Sequence, residues 1–281
     1  QQWSNTLKTY AYPVFGNLSL SVLNTDLVLK AIEPIWISKA ETASRVRQRI
    51  ETVWDWARAR DYVEGENPAR LRGHLDKILP NTAKVKRVKH HAALPYKEIN
   101  SFIKKLRDQK GISVLALEFM ILTATRTGEV RGAKWQEIDF STRVWTIPSD
   151  RMKAGKEHRI PLCNRAEKIL NNLKSNRKPD DFVFLGWKNG MGLSDGTMLK
   201  LLKKMDIGPY TPHGFRSTFR DWAAEEAYKF ANETVELALA HTIKNKAEAA
   251  YRRGDQLERR RELMLEWEEF VERIISKTNS S

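Results

Sequence analysis

The apolar periodicity of the chain lapses between Pro80 and Leu94, and this interruption constrains the fold more than any other feature of the sequence. Residues 80–94 read PNTAKVKRVKHHAAL, a stretch that carries four cations: Lys84, Lys86, Arg87 and Lys89. A chain of 281 residues is long enough for two domains. The sequence therefore predicts a domain over residues 1–82, a basic linker over 83–94 that follows a polyanion, and a second domain over 95–281.

The first part is predicted to be helical. Apolar residues recur at the spacing of one helix face, at Val46, Ile50, Val53 and Ala57. Arginines fall on the rest of the predicted helix surface and fit either a solvated face or a face that contacts phosphates: Arg45, Arg47 and Arg49. Asn67 and Pro68 predict a break followed by a short helix, because proline suits a first helical turn.

The second part combines helical and strand patterns. A stripe at Ile99, Phe102, Ile103 and Leu106 predicts an amphipathic helix that Gly111 ends, and residues 114–122 are apolar enough for a core helix. Residues 144–148 and 158–162 alternate like short strands joined by a polar turn, and 182–185 predict another short strand. From residue 194 onward the pattern is helical again. The predicted fold class is mainly α with a small antiparallel β-sheet.

Composition limits the partners. The net charge is +14 and the sequence pI is about 9.8, a balance that favours an anionic polymer, with nucleic acid as the first candidate. We find no apolar run near the roughly 18 residues of a membrane span, and we expect no membrane partner. Cys163, the single cysteine, is interpreted as a small buried hydrophobe in a reducing compartment. The chain does not start with Met, and we expect a fragment or a processed form.

Short segments of the second part hold polar residues with chemical potential. Arg126 follows the apolar helix, with Glu129 three residues on, and a rigidly held guanidinium suits a phosphate. Lys153 lies in the turn between the two predicted strands. His213 and Arg216 open a predicted helix and share one face of it, where backbone N–H groups favour an anion. Taken singly, each also fits a surface ion pair or an exposed turn.

Two further residues lie near the C-terminal end. His241 follows Leu239 and Ala240, and Tyr251 comes ten residues later beside Arg252 and Arg253. A lone tyrosine is usually a core or interface aromatic, whereas a tyrosine in a basic setting with a histidine nearby also suits a nucleophile.

In chain order these residues are Arg, Lys, His-x-x-Arg, His and Tyr, and with their flanks they resemble the tyrosine recombinase family, above all integrases of prophages and genomic islands. The matching stretches are ATRTGEVRGAKWQEID, RMKAGKEHRIPL, TPHGFRSTFRDWAAE, LALAHTIKNKAEAAYRR and QLERRRELMLEWEEF. None of the six active positions departs from the family pattern. Upstream, YPVFGNLSLSVLNTDLV and SRVRQRIETVWDWA resemble the helical core-binding domain of the family.

The resemblance implies a reaction and a set of roles. Tyr251 attacks the scissile phosphodiester, forms a 3′-phosphotyrosyl link and releases a 5′-hydroxyl, which needs neither cofactor nor metal. Arg126 and Arg216 hold the non-bridging oxygens. His213 and His241 donate hydrogen bonds or take the tyrosine proton, Lys153 is the general acid, and Glu129 supports the site.

The resemblance also implies partners. Double-stranded DNA at attachment sites, a homotetramer on that DNA, and accessory DNA-bending or directionality proteins are expected, in the cytoplasm of a bacterial host. A further small N-terminal DNA-binding domain that many such integrases carry is expected to be absent here. The last predicted helix, over 256–276, is compatible with docking on a neighbouring protomer and with packing on its own domain.

Other readings remain open from the sequence. A type IB topoisomerase shares the tyrosine chemistry, and a non-catalytic DNA-binding regulator shares the fold, although all six positions are filled. A metal nuclease is disfavoured, because the sequence shows no cluster of Asp, Glu and His at ligand spacing.

Overall fold

The computed structural model describes residues 2–81, 92–175, 177–187, 190–241 and 254–273. The chain divides into two compact units, residues 1–90 and 91–281. The basic positions of the predicted linker, Lys84, Lys86, Arg87 and Lys89, lie outside the described residues.

The first unit contains the helices α1 (Gln2–Tyr10), α2 (Tyr12–Phe15), α3 (Thr25–Trp36) and α4 (Ala40–Arg58). The side chain of Asn24 starts α3 by accepting a hydrogen bond from the backbone N–H of Leu27 at 3.0 Å. The apolar faces of α3 and α4 pack together and form the core of this unit, which is therefore helical as predicted.

Two details of this unit were predicted wrongly. Val46, Ile50 and Ala57 are buried, but Val53 is exposed and Trp54 takes its place in the core, because the buried face of α4 continues at spacings of four residues. Residues 68–74 form turns, and the short helix that follows is the 3₁₀ helix Leu75–Lys77, later in the chain than a proline in a first helical turn predicts. Asn67 is buried there and ties the turn to α4, since its amide nitrogen donates to the carbonyl oxygen of Glu51 at 3.0 Å.

The second unit begins with α5 (Ile99–Arg107), α6 (Ile112–Thr123) and α7 (Thr127–Arg131). The predicted stripe of α5 is buried, and α6 is buried on nearly all sides. Gly111 does not end α5, which stops at Arg107. It precedes α6 with φ of 116°, a conformation that favours glycine.

A three-stranded antiparallel sheet follows, in the order β1 (Ile138–Asp139), β2 (Val144–Ile147) and β3 (His158–Pro161). Trp145 pairs with Ile160 and Ile147 pairs with His158. The two predicted strands are confirmed, whereas β1 is too short to show a period in sequence. The predicted strand at 182–185 is wrong, because Phe182 and Leu185 make only isolated bridges.

Further α-helices in the described part of this unit are α8 (Asn164–Leu173), α9 (Thr197–Lys204), α10 (Gly214–Glu225), α11 (Asn232–Ala238) and α12 (Leu257–Glu272). Helix α12 packs on its own unit, against β3, α5 and α11. Trp267 is fully buried and donates its indole N–H to the carbonyl oxygen of Ile121 at 2.9 Å. Packing within the unit therefore accounts for α12 through Glu272, and residues 274–281 lie outside the described part.

The fold is mainly helical with one small antiparallel sheet, as the sequence predicts. Cys163 is buried as predicted, and burial raises the pKa of its thiol well above the usual value. Within the described ranges, no helix is both long and apolar enough to cross a bilayer.

Candidate active site

Arg126 lies where α6 gives way to α7. Helix α6 ends at Ala124, which turns the chain with φ of 50°. The carboxylate of Glu129 is buried, and its two oxygens accept from the backbone N–H of Arg126 at 2.7 Å and from Nη1 of Arg126 at 2.8 Å. The side chain of Arg126 stays 26% exposed. Glu129 thus fixes the guanidinium of Arg126, which stays partly open to solvent.

Arg216 lies in the first turn of α10 and is buried. Its Nη1 donates to the carbonyl oxygen of Ala124 at 2.5 Å, and its Nη2 donates to that of Leu239 at 2.5 Å. Nη2 of Arg126 donates to the next carbonyl oxygen, that of Ala240, at 3.3 Å. The turns after α6 and α11 therefore both bind Arg216, and the turn after α11 also binds Arg126. Burial and the charge of Arg126 lower the pKa of Arg216 to about 10, so it remains a cation at neutral pH.

His241 follows α11 and contacts both an acid and an arginine. Its Nδ1 lies 2.6 Å from Oε2 of Glu236, and its Nε2 lies 3.3 Å from Nη2 of Arg216. Burial alone would raise the pKa of Glu236, but the hydrogen bonds from His241 and Arg220 outweigh it and hold that pKa below its usual value. Because a carboxylate accepts, these partners place the ring proton on Nδ1, which donates to Glu236. This hydrogen bond orients the exposed ring.

His213 is exposed and directly precedes α10. The start of α10 packs closely against the backbone of Ala92, since a Cβ on Gly214 would lie 2.5 Å from the carbonyl oxygen of Ala92. Glycine at this position therefore lets α10 present His213 and Arg216 where the sequence predicts them, at its N-terminal end.

Lys153 is exposed in the turn between β2 and β3. Tyr251 lies outside the described residues. Four of the predicted residues, Arg126, Glu129, Arg216 and His241, share one hydrogen-bonded network, and His213 opens the helix that supplies Arg216. A pair of fixed guanidiniums beside an oriented imidazole suits a phosphate group. Among the described residues, no three His, Cys, Asp or Glu side chains group as metal ligands.

The predicted arginine face of α4 needs a correction. Arg47 is buried and donates to Glu51 and to the carbonyl oxygen of Ala69, both at 2.7 Å. Arg49 is buried as well and donates to the carbonyl oxygen of Gln2 at 2.9 Å. These two were wrongly placed on the surface, because their guanidiniums bind partners within the unit. Arg45 is exposed and pairs with Glu41 at 2.5 Å.

Three residues of this region were not predicted from the sequence as part of the site: Glu236, Arg151 and His158. Glu236 lies five residues before His241, a spacing that carries little signal without the turn between them. Arg151 reads in sequence as one more cation of an exposed turn. His158 is buried at the start of β3, where burial and the nearby charge of Arg260 lower its pKa to about 4.

Comparison with known proteins shows the family of the chain. A family model described as the phage integrase family matches residues 93–257, and one described as the phage integrase central domain matches residues 1–74. The integrase of Enterobacteria phage P4 is 28% identical over 286 residues, which cover 95% of this chain and 63% of that protein. Prophage integrase IntZ of Escherichia coli (strain K12) is 29% identical over 278 residues, with coverages of 98% and 67%. The chain thus spans about two thirds of these relatives.

Solved structures share the fold. A lambda integrase dimer bound to a COC′ core site superposes with a TM-score of 0.64 at 16% identity, covering 86% of this chain and 87% of that one. The Tn1549 transposon integrase in complex with circular intermediate DNA superposes with a TM-score of 0.61 at 16% identity, covering 89% and 88%. A lambda integrase tetramer bound to a Holliday junction gives 0.64 at 15% identity, covering 87% and 71%.

Proposed function

Because the chain belongs to the phage integrase family, we propose that it is a tyrosine site-specific recombinase that cleaves and rejoins DNA at attachment sites. The observation that carries the proposal is the joint fixation of Arg126 and Arg216 by the turns after α6 and α11. Arg126 and Arg216 lie 90 residues apart in the chain, yet they donate to the neighbouring carbonyl oxygens of Ala240 and Leu239, and such a pair of cations suits a ligand with concentrated negative charge.

The proposed chemistry is phosphoryl transfer to tyrosine. The phenol oxygen of Tyr251 forms a bond to phosphorus, the bond from phosphorus to the 5′ oxygen breaks, and Lys153 gives a proton to that oxygen. His213 and His241 hydrogen bond the phosphate or accept the phenol proton. In the rejoining step a 5′-hydroxyl attacks the 3′-phosphotyrosyl link and releases the phenol. Each step exchanges one phosphoester for another, so the chemistry needs no ATP.

The arginines stabilise the charge that grows on the non-bridging oxygens. The guanidinium of Arg216 carries five N–H donors in a planar fork, a geometry that also suits a phosphate oxygen. Since its carbonyl partners belong to buried or ordered turns, the guanidinium is positioned before DNA arrives. Positioning in advance is what makes such a charge effective in a transition state.

The proposed partner is double-stranded DNA, bound by a homotetramer on paired sites. The DNA in the solved lambda and Tn1549 complexes and the net charge of +14 support this partner. In the proposal, residues 1–82 form a core-type DNA-binding domain, residues 83–94 follow the phosphates, and residues 95–281 form the catalytic domain. Accessory bending or directionality proteins, a bacterial cytoplasm, and integration or excision of a prophage or genomic island complete the proposed setting.

The test is covalent capture. We expect the 281-residue chain, incubated in EDTA with a nicked duplex that carries a candidate attachment site, to form a protein–DNA adduct that resists denaturation. Tyr251→Phe should abolish the adduct. Tyr228→Phe is the matched control, because Tyr228 is 90% exposed elsewhere in the same unit and should leave the adduct intact.

Three results would contradict the proposal. An adduct that persists in Tyr251→Phe would reject the nucleophile. Binding of the duplex with no adduct in any variant would indicate a regulator. Relaxation of supercoiled plasmids without a preferred site would indicate a topoisomerase.

A further inference from the structure

We propose that Arg151 is a positioning residue that fixes the turn carrying Lys153 against the segment that carries Arg126 and Glu129. This inference rests on the proposed function, because it gives Arg151 a task in the step that Lys153 performs. Arg151 is not one of the predicted catalytic residues. In this proposal it holds the general acid, Lys153, in place relative to the phosphate-binding Arg126.

The contacts of Arg151 join three segments. Arg151 ends the 3₁₀ turn Ser149–Arg151 that follows β2, and its side chain is 19% exposed. Nη1 donates to both carboxylate oxygens of Glu137, which is buried just before β1. Nη2 donates to the backbone carbonyl oxygen of Glu129 at 2.6 Å. The guanidinium thus binds α7 and the start of the sheet at the same time.

Glu137 is itself held in place. Its second oxygen accepts the indole N–H of Trp145 at 2.9 Å, and Trp145 is fully buried in β2. A carboxylate that binds both an indole and a guanidinium has its charge and its lone pairs satisfied, so it forms a rigid anchor for Arg151.

The anchor controls Lys153 because the chain between them is short. Met152 separates the two residues and is buried. The N–H of Gly155 closes the turn on the carbonyl oxygen of Met152 at 3.0 Å. Two residues span at most about 7 Å, so the backbone of Lys153 stays near the Arg151 anchor. On the other side, Glu129 binds Arg151 through its carbonyl oxygen and Arg126 through its carboxylate.

Gly132 provides a way to move the guanidinium without removing its charge. A Cβ built on Gly132 would lie 2.7 Å from Nη2 of Arg151, so the guanidinium packs directly on the backbone there. Gly132 has φ of −95° and ψ of 1°, which alanine also adopts. We therefore expect Gly132→Ala to displace Arg151 from the carbonyl oxygen of Glu129 while every charged side chain stays in the molecule.

Lysine should replace Arg151 only in part. A planar guanidinium binds the carboxylate of Glu137 and the carbonyl oxygen of Glu129 along different directions, whereas an ammonium is a point charge on a flexible stem. We expect Arg151→Lys to keep the Glu137 ion pair and to bind the Glu129 carbonyl weakly. Its rate of adduct formation should lie between those of the wild type and Arg151→Met.

The experiment compares two leaving groups. Adduct formation is timed on a nicked duplex whose scissile phosphate carries the normal 5′ oxygen and on the same duplex with a bridging 5′ sulfur. A thiol has a pKa near 8.5, so a thiolate leaves without a proton, and the sulfur substrate does not need the acid. Lys153→Ala should slow the oxygen substrate by about 10²-fold or more, and it should react with the sulfur substrate within about threefold of wild type.

Arg151→Met and Gly132→Ala should show the same signature, with a loss of about 10- to 100-fold on oxygen that sulfur restores. Arg143→Met is the matched control. Arg143 precedes β2 as Arg151 follows it, and it binds Asn164 at 2.7 Å, so its loss should leave the ratio of the two rates at the wild-type value.

Equal slowing of both substrates in Arg151→Met and Gly132→Ala would overturn the inference, because a general loss of structure affects both reactions alike. If Lys153→Ala leaves the ratio of the sulfur and oxygen rates unchanged, the inference falls too, because Lys153 is then not the acid that Arg151 is proposed to position. Absence of an adduct from the wild-type chain on both substrates would instead reject the proposed function.

Discussion

At the scale of single residues, the site depends on a buried cation, Arg216, which the described part of the fold holds in place with carbonyl oxygens and not with a carboxylate. Arg216 is buried, yet its pKa of about 10 leaves it protonated at neutral pH. Two of its acceptors are the carbonyl oxygens of Ala124 and Leu239, and the carboxylate of Glu129 is bound to Arg126. Since a carbonyl supplies a partial charge only, much of the positive field of Arg216 is available to an anion. A carboxylate in the place of those carbonyls would compete with phosphate.

His158 shows the opposite solution, a titratable group kept neutral. Its pKa lies at about 4 because it is buried and close to the cations Arg260 and Arg216. The unfolded chain binds a proton near pH 6.5, whereas the folded chain binds it only near pH 4. The stability that neutral His158 contributes is therefore fully present above pH 6.5 and is lost as the pH falls from there towards 4.

We predict that the second unit loses about 2 kcal/mol of unfolding free energy through His158 between pH 6.5 and pH 5. His158→Gln should remove most of this pH dependence. Hydrogen exchange of the β2 and β3 amides at the two pH values measures the difference. His74→Gln, in the first unit, is the control that should leave it unchanged. Equal pH dependence in the wild type and in His158→Gln would show that other groups are responsible.

At the scale of elements, the site is built from the ends of helices. Helices α6 and α11 are each followed, within two residues, by an alanine with positive φ: Ala124 at 50° and Ala240 at 48°. Each turn presents carbonyl oxygens to an arginine and then places a predicted site residue, Arg126 or His241, one or two positions later. Left-handed backbone costs an alanine about 1–2 kcal/mol, so the contacts of the arginines offset strain in both turns.

Ala240 gives a direct test of this view. We predict that Ala240→Gly raises the thermal unfolding midpoint, because glycine adopts this φ freely and the gain of about 1–2 kcal/mol exceeds the entropy cost of about 0.5–1 kcal/mol. Ala240→Val should lower the midpoint and slow adduct formation, since a branched residue shifts the carbonyl that binds Arg126. Thermal melts and adduct rates of both variants check this. A valine variant that matches the wild type in both would refute it.

Elements with a local sequence pattern could be predicted, whereas features that depend on tertiary partners could not. The stripe of α5 follows from local pattern, and the order Arg126, His213, Arg216, His241 follows from a family resemblance; the structure joins Arg126, Arg216 and His241 in one hydrogen-bonded network. Gly111 and Val53 were misjudged and β1 was missed, because caps, two-residue strands and the exact burial of a helix face depend on tertiary partners. Arg47 was misjudged for the same reason, since its partners Glu51 and Ala69 come together only in the folded unit.

At the scale of the whole molecule, the proposed DNA partner and the net charge of +14 together predict a binding that salt weakens. The structure divides the arginines of α4 into two kinds. Arg45 is exposed, while Arg47 is buried with its guanidinium bound inside the unit. Only a cation that reaches solvent can release counterions from DNA, so the two residues should differ in how they affect binding.

We predict that Arg45→Gln reduces the slope of log K against log salt by about 0.9 on a random-sequence duplex, with little change in stability. Arg47→Gln should leave the slope of the folded protein unchanged and should destabilise the first unit by about 1–3 kcal/mol, because it leaves the buried carbonyl of Ala69 unsatisfied. Titrations at several salt concentrations, with urea unfolding of each variant, separate the two effects. If Arg47→Gln flattens the salt dependence as much as Arg45→Gln, then Arg47 reaches the phosphates of bound DNA and must leave its buried partners to do so.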